Sequence, residues 1–502
     1  MSNSSSYSRI LKSSSVVGGS QAFSMLIGMI RVKFVAVLIG PSGLALISVL
    51  QSIQTMGVTL SGLGVSSSGV REITKANGDE DMKRLSMTAV SLRRFCWLLG
   101  LVGGGGAVIF SKPISQLTFG NVDHATSIAW LSLAILFTLM SFGQMAILQG
   151  VRRIGDLALV NIISVFVGSF ASIIIYWLYG IDGVVPSLIS LALFNFLVSF
   201  YYARRLELEI VRVSWKDSFL LAGSILGLGL AFMWTAIMRS LTEYGTRWLI
   251  INKIDFISVG IFFAAYRLSG MFLNFVLGAM GTDFYPNLTA ASDDHEAMRG
   301  LVNQQTEVGL LLALPGLLVT LALSSLVVRV FYSSEFIDAI PLLQWFVLGC
   351  LGRVISWPMG YTLLAKGRGG LLVVCETAGQ CFHLTMIYLF LNHFGLVGVS
   401  IAFVLNYIVW TILLMVVSYY LIGYRWSSTV LSLVLFAVVI SAVCFTVVNV
   451  MTGVLGQAVG FLLAVFVGCY CLRKLCGLVG QEHSLVRLVR RIPILRSIVL
   501  YG

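Results

Sequence analysis

The chain has 502 residues, of which 58% are apolar and only 11% charged, and its mean hydropathy is +0.95. Soluble globular domains carry charge on roughly a quarter of their residues, so lipid is the solvent for most of this chain. The net charge of +12 is spread over many short segments rather than gathered in one patch, which excludes a nucleic-acid interface and suits a protein facing anionic membrane lipids.

A membrane-spanning helix needs about 20 mostly apolar residues, and apolar windows predict fourteen of them in chain order. The first six cover 14–39, 44–69, 95–110, 128–149, 158–180 and 184–202. The next six cover 219–249, 259–281, 305–329, 341–364, 371–392 and 396–422, and two more follow at 429–451 and 454–472. The predicted fold class is therefore an all-α polytopic membrane protein. The Ser-rich start, MSNSSSYSRILKSSS, runs into a long apolar stretch without a small-residue cleavage site, so it is expected to stay attached as part of helix 1. The last stretch, SLVRLVRRIPILRSIVLYG, alternates Arg with aliphatic residues and fits either a short basic helix on the membrane surface or a frayed tail.

With an even number of spans both termini share one side. Placing them in the cytoplasm puts 24 of the 33 basic residues in inside loops, among them Arg71, Arg93, Arg94, Arg204, Arg205 and Arg212, and leaves Lys112, Lys253 and Arg329 outside. That asymmetry is the one the positive-inside rule requires. No loop is long enough for a soluble domain with its own core. The eight cysteines lie mostly inside apolar runs with no metal-ligand spacing, so neither a metal nor a cofactor is expected.

Two segments can be laid over each other: IRVKFVAVLIGPSGLALISVLQ and TRWLIINKIDFISVGIFFAAYR each carry an Arg, then a loop ending in Gly, then a helix with a polar residue twenty positions after that Arg, Gln51 after Arg31 and Arg267 after Arg247. The match suggests a repeat of two six-helix lobes, 1–216 and 217–424, with two additional helices in 425–476 and a basic cytoplasmic tail in 477–502. The run Gly103 to Gly106 permits close packing, and Pro315 and Pro358 should kink or interrupt their spans.

Six basic residues fall within or close to spans: Arg31, Lys33, Arg239, Arg247, Arg267 and Arg353. Charge in lipid is costly, so such residues face a cavity or a partner, or snorkel to an interface. Depth in its run favours a cavity for Arg31, and Lys33 is expected to snorkel. Arg239, Glu243 and Arg247 are spaced i, i+4, i+8 and form one helical stripe on which Glu243 can pair with either arginine. Two arginines sharing one carboxylate keep donors free for phosphate oxygens. Glu376, Gln380 and His383 form a second stripe that suits an ion or proton site, although Glu376 near a span end could simply meet the interface. The candidate substrate-binding residues are thus Arg31, Arg239, Arg247, Arg267 and Arg353, and the candidate ion-coupling residues Glu243, Glu376 and His383.

The stretch TDFYPNLTAASDD, the following LLALPGLLVTLALSSLVVRVFYSSEFIDAIPLLQWFVLG and the turn LLAKGRGG resemble the second half of bacterial O-antigen flippases, the Wzx-type translocases of the multidrug/oligosaccharidyl-lipid/polysaccharide exporter superfamily. Pro286, Pro315, Phe331, Ala339, Leu342, Gly367 and Arg368 carry the likeness, and Arg31 with LIGPSGLAL adds to it in helix 1. The resemblance implies two six-helix lobes around a central cavity that opens alternately to either side. Its implied cargo is an undecaprenyl-diphosphate-linked oligosaccharide of lipopolysaccharide or a related surface polysaccharide, moved from the cytoplasmic to the periplasmic leaflet of the inner membrane. Implied partners are that lipid-linked oligosaccharide, a polysaccharide polymerase and a chain-length regulator. Arg31 matches an arginine that lines the cavity of the related lipid II flippases. Two features depart from the pattern: fourteen spans where twelve are usual, and intramembrane charges that vary between members.

Two rival functions are weighed by charge and loops. A drug or cation exporter needs an acidic cavity, whereas the charges here are mainly basic. A polysaccharide polymerase would place its catalytic groups on a large outside loop, and the longest one, SKPISQLTFGNVDHATS, is short with one acid, Asp123.

Overall fold

The computed structural model describes residues 2–78, 82–206, 208–209, 211, 213–451 and 453–479, so the basic stretch after 479 and Arg212 lie outside the described residues. Every regular element among the described residues is helical. The chain packs as two units. Unit 1 comprises Met1–Phe263, Phe331–Glu335 and Glu376–Leu384; unit 2 comprises Ala264–Val330, Phe336–Cys375 and Thr385–Gly502.

Unit 1 holds α1 (Ser2–Gly62), α2 (Val65–Gly78), α3 (Met82–Ile109), α4 (Ser111–Phe119), α5 (Ala125–Gly150), α6 (Ile154–Tyr179), α7 (Val184–Arg204), α8 (Trp215–Lys253) and the first turns of α9 (Phe256–Ala290). The first two predicted spans are the two arms of α1, which bends at Gly40 (φ 62°, ψ −167°) just before Pro41. Only glycine tolerates that combination of angles, and proline, with no N–H to offer the preceding turn, starts the second arm. The break predicted as a loop is therefore a kink within one helix.

The second arm stops at Gly62, short of the predicted 69, because Leu63 (φ 46°) and Gly64 (φ 72°) turn the chain left-handed. The polar residues beyond form their own helix, α2, whose apolar side places Val65, Ile73 and Ala76 in a core with Leu92 of α3 and Ile135, Leu139 and Ile147 of α5. Helix α3 begins at Met82 rather than at 95, so Lys83, Arg84, Arg93 and Arg94 ride on a helix where a loop was expected. Two of the four consecutive glycines explain the tight α3 packing. A Cβ on Gly103 would stand 2.3 Å from the Ser61 hydroxyl and one on Gly104 3.1 Å from the Ser132 carbonyl oxygen, while Gly105 and Gly106 face open space.

Unit 2 holds the rest of α9, α10 (His295–Ala322), α11 (Ser324–Phe331), α12 (Ala339–Ala365), α14 (Val397–Ile422), α15 (Ser428–Val450), α16 (Val454–Val479) and both ends of α13 (Gly369–Phe394). Asp294 caps α10 by accepting from the amides of Glu296 and Ala297 at 2.9 and 3.0 Å. Of the kink or interruption expected at Pro315 and Pro358, the interruption does not occur: α10 and α12 run on through them. Between α9, α12 and α14 lies an edge-to-face column of Tyr266, Phe346, Phe403 and Tyr407. An ion pair between Glu307 and Lys474, 3.2 Å long, ties α10 to α16.

With α1 counted twice, the fourteen predicted spans correspond to α1, α3, α5 to α10 and α12 to α16. Among the described residues, eleven stretches are long and apolar enough to cross a membrane, one of them both arms of α1 and another α6 with α7.

Candidate functional site

The two polar stripes predicted on separate spans meet in unit 1. Arg239 of α8 points a guanidinium nitrogen at Glu376 of α13, 3.4 Å from its carboxylate oxygen, and Gln380 donates to the same oxygen at 3.1 Å. One turn earlier on α8 the Trp234 indole donates to the Thr377 hydroxyl at 2.8 Å. Glu376 is buried whereas Arg239 is exposed.

Arg247, two turns further along α8, is buried and held differently. Its Nε donates to the Ser48 hydroxyl on α1 at 2.8 Å, and one terminal nitrogen donates to the Glu243 carbonyl at 2.6 Å. Glu243 is spaced so that it can pair with Arg239 or Arg247, yet among the described residues its carboxylate makes no ion pair. The reason is geometric: Arg239 reaches across to α13 and Arg247 across to α1. His383 sits three residues, just under one turn, beyond Gln380 and is half-buried.

Arg31 is half-buried on the first arm of α1, within electrostatic reach of the buried Tyr176 hydroxyl of α6. Lys33, expected to snorkel, instead donates to the Tyr332 carbonyl. Arg31 stands nine residues before the kink at Gly40, and Arg247 eight before Asp255, where α8 gives way to α9. The break differs in kind, because Asp255 caps α9 by accepting from the Ser258 amide at 2.7 Å and its hydroxyl at 2.9 Å.

In unit 2, Arg267 is exposed on α9, and Arg353 of α12 borders a cleft of about 390 Å³. Asn274, Gly278 and Gly281 of α9 and Trp357 and Tyr361 of α12 line it too. Sequence reasoning chose Arg353 and missed the aromatic pair, although Arg353, Trp357 and Tyr361 follow each other at i, i+4, i+8 as regularly as the stripe on α8. It also missed Arg93 and Arg94, which hold unit 1 together. Arg93 donates to Gln144 at 3.1 Å and to the Ala203 carbonyl at 3.3 Å, and Arg94 donates to the Val213 carbonyl at 2.8 Å and lies over the Trp215 ring.

Outside the spans, the His124 ring packs on Phe119 with centroids 4.1 Å apart. Burial lowers its pKa from the usual imidazole value, against the opposing pull of Asp123. Tyr424, beyond the end of α14, is pushed up to about 12 by burial, with the Thr306 hydroxyl opposing. Among the described residues no three His, Cys, Asp or Glu side chains gather closely enough to hold a metal ion.

This frame of long apolar helices with arginines set into them is that of a multi-pass membrane protein. The fold is shared with the lipid II flippase MurJ in an inward closed conformation (TM-score 0.67, 15% identity, 91% of this chain and 97% of that one). It is shared as well with an inward-facing multidrug resistance MATE family transporter of the MOP superfamily (TM-score 0.63, 18% identity, 80% and 94%). The chain belongs to the family described as polysaccharide biosynthesis protein, whose profile matches residues 34–341. The lipid III flippases of Escherichia coli (strain K12) and Shigella flexneri are each 23% identical to it over 392 residues, which is 76% of this chain and 92% of theirs.

Proposed function

We propose that the protein is a flippase that carries an undecaprenyl-diphosphate-linked oligosaccharide, an O-antigen or related surface polysaccharide unit, from the cytoplasmic to the periplasmic leaflet of the bacterial inner membrane by alternating access. The observation that carries this reading is the sign of the charge set into the helices. Arg31, Arg239, Arg247, Arg267 and Arg353 stand against Glu243, Glu307 and Glu376, of which Glu376 already has Arg239 and Glu307 has Lys474 as a partner. A cation exporter would require the opposite balance, since a charge in low dielectric attracts its complement strongly. Family membership and the lipid III flippase relatives point to a lipid-linked saccharide.

On this reading Arg31 binds the diphosphate, and Arg247, whose donors to Ser48 and Glu243 fix its place, contributes its remaining positive charge in unit 1; Arg267 is a candidate anion-binding residue of unit 2. The spread of basic loop residues supports cytoplasmic termini next to anionic lipids. The repeat of two six-helix lobes suggested by the sequence would suit alternating access. Glu376, paired with Arg239, is the ion-coupling carboxylate, with Glu243 and His383 on the same two stripes. A polymerase and a chain-length regulator would receive the flipped unit.

A charge-assisted hydrogen bond contributes about 1.5–3 kcal/mol, so losing one arginine should slow export at least about tenfold. The test is surface polysaccharide in a gene-deleted strain complemented with Arg31→Ala, Arg31→Lys or Arg267→Ala, with membrane protein levels matched. Deletion should abolish the polymer and accumulate its lipid-linked unit inside; the lysine variant should rescue only in part, because it lacks the planar fork. Full export by both alanine variants overturns the cationic grip, and normal polysaccharide in the deletion strain overturns the flippase reading.

A further inference from the structure

We propose that the cleft between α9 and α12 of unit 2 is a sugar-ring site, built for a pyranose that carries an anionic group. The inference rests on the flippase reading and names the part of the cargo this cleft takes. Its walls are two facing stripes. Arg353, Trp357 and Tyr361 recur every four residues on α12, and Asn274, Gly278 and Gly281 occupy one face of α9 at i, i+4 and i+7.

The glycines make the space. A Cβ on Gly281 would come within 3.2 Å of the Trp357 ring and 3.3 Å of the Tyr361 hydroxyl, so only a residue without a side chain leaves those two rings open to a ligand. The rings are held from behind. Trp357 and Tyr361 pack against each other at 4.8 Å between centroids, and Phe284 braces both at 5.8 and 5.7 Å. Fixed aromatic faces beside a cavity offer an apolar platform without further ordering on binding.

The polar groups complete the match. Among the described residues the side chains of Arg353, Asn274, Trp357 and Tyr361 make no hydrogen bond with one another or with other side chains, and Arg353 has no ion pair. A guanidinium within electrostatic reach of Tyr407 and Tyr266, an amide, an indole N–H and a phenol therefore line one cleft, and among the described residues none of them makes a side-chain hydrogen bond. A lipid tail would leave all four unsatisfied, which is expensive in a low-dielectric site. A pyranose has an apolar face of C–H groups for the rings and a rim of hydroxyls for the amide, indole and phenol. Arg353 adds a bidentate donor for an anion, which is either the diphosphate joined to the first sugar or a carboxylate on the sugar itself. The volume, about 390 Å³, lies in the range of small-molecule sites, roughly 300–1,000 Å³.

The test is calorimetric titration of the full-length protein in detergent micelles with three probes: farnesyl diphosphate, the same lipid diphosphate bearing one N-acetylglucosamine, and a soluble disaccharide containing glucuronate. The sugar-bearing lipid should bind at least tenfold tighter than the sugar-free one. Trp357→Ala should erase that difference, and Trp357→Phe should keep most of it. Asn274→Leu, on the opposite wall, should also weaken only the sugar-bearing probes, which keeps the test valid if Trp357→Ala is not recovered folded. Arg353→Gln should weaken both lipid probes if the guanidinium reads the diphosphate, or the glucuronate probe alone if it reads a sugar acid. Equal binding of the two lipid probes to the unaltered protein, or equal weakening of both by Trp357→Ala and Asn274→Leu, overturns the sugar site and leaves the flippase reading standing. Failure of every lipid probe to bind overturns that reading and the site with it.

Discussion

Gly260 gives the sharpest test of the packing at the kink of α1. It lies in the first turns of α9, and a Cβ built there would stand 2.0 Å from the Pro41 carbonyl oxygen, 2.9 Å from the Pro41 carbonyl carbon and 3.1 Å from the Ala45 amide nitrogen. All three are backbone atoms of the arm that starts after Gly40, so no side-chain rotation relieves the overlap. Ordinary carbon–oxygen contacts are about 3.3 Å, and Gly260→Ala must therefore push one helix about 1.3 Å from the other. Overpacking of this kind typically costs about 1–3 kcal/mol, and the immobile backbone places this site at the upper end. Gly105→Ala and Gly106→Ala, where nothing lies within 4 Å, are the controls; they should be neutral or gain up to about 1 kcal/mol from helix propensity. Thermal unfolding of detergent-purified protein, followed by size-exclusion recovery, should show Gly260→Ala lost several degrees below the unaltered protein while both controls keep pace. A Gly260→Ala protein as heat-resistant as Gly105→Ala would refute the close approach.

The Arg239–Glu376 pair should break asymmetrically. Its 3.4 Å separation gives about 5 kcal/mol at an effective dielectric of about 20, but the 68% exposed Arg239 side chain brings the net worth down to the surface-pair range, about 0.2–1 kcal/mol. Arg239→Ala strands a buried carboxylate and Glu376→Gln does not, so in thermal unfolding Arg239→Ala should be the less stable, and Glu376→Gln added to it should restore part of the loss; equal midpoints would contradict this. His124 has a folded-state pKa below its unfolded value, so its contribution is present above about pH 6.5 and is lost as pH falls through the lowered folded value. Between pH 7.5 and 5, unaltered protein should therefore lose more stability than His124→Phe, which keeps the Phe119 contact and cannot charge; parallel losses would show that His124 is not the titrating group.

The sequence by itself determined that the chain is a bundle of apolar helices, because twenty-residue apolar runs have no other stable form in lipid. It also located the break at Gly40 and Pro41 and the charged positions worth attention, since glycine, proline and buried arginine announce themselves by covalent geometry and solvation cost. Helix ends at polar stretches were less legible: α2 and the first turns of α3 read as loop, because periodicity among Ser, Arg and Lys is faint and tertiary burial of Ile73 and Leu92 decides the outcome. Only the tertiary structure showed which charges meet. Arg239 and Glu376 are 137 residues apart and Arg247 and Ser48 are 199 apart, and no local spacing encodes such pairs. The aromatic cleft shows the same limit. Trp357 and Tyr361 look like ordinary core residues along α12, and their open faces depend on a glycine of another helix, Gly281, that leaves the facing wall bare.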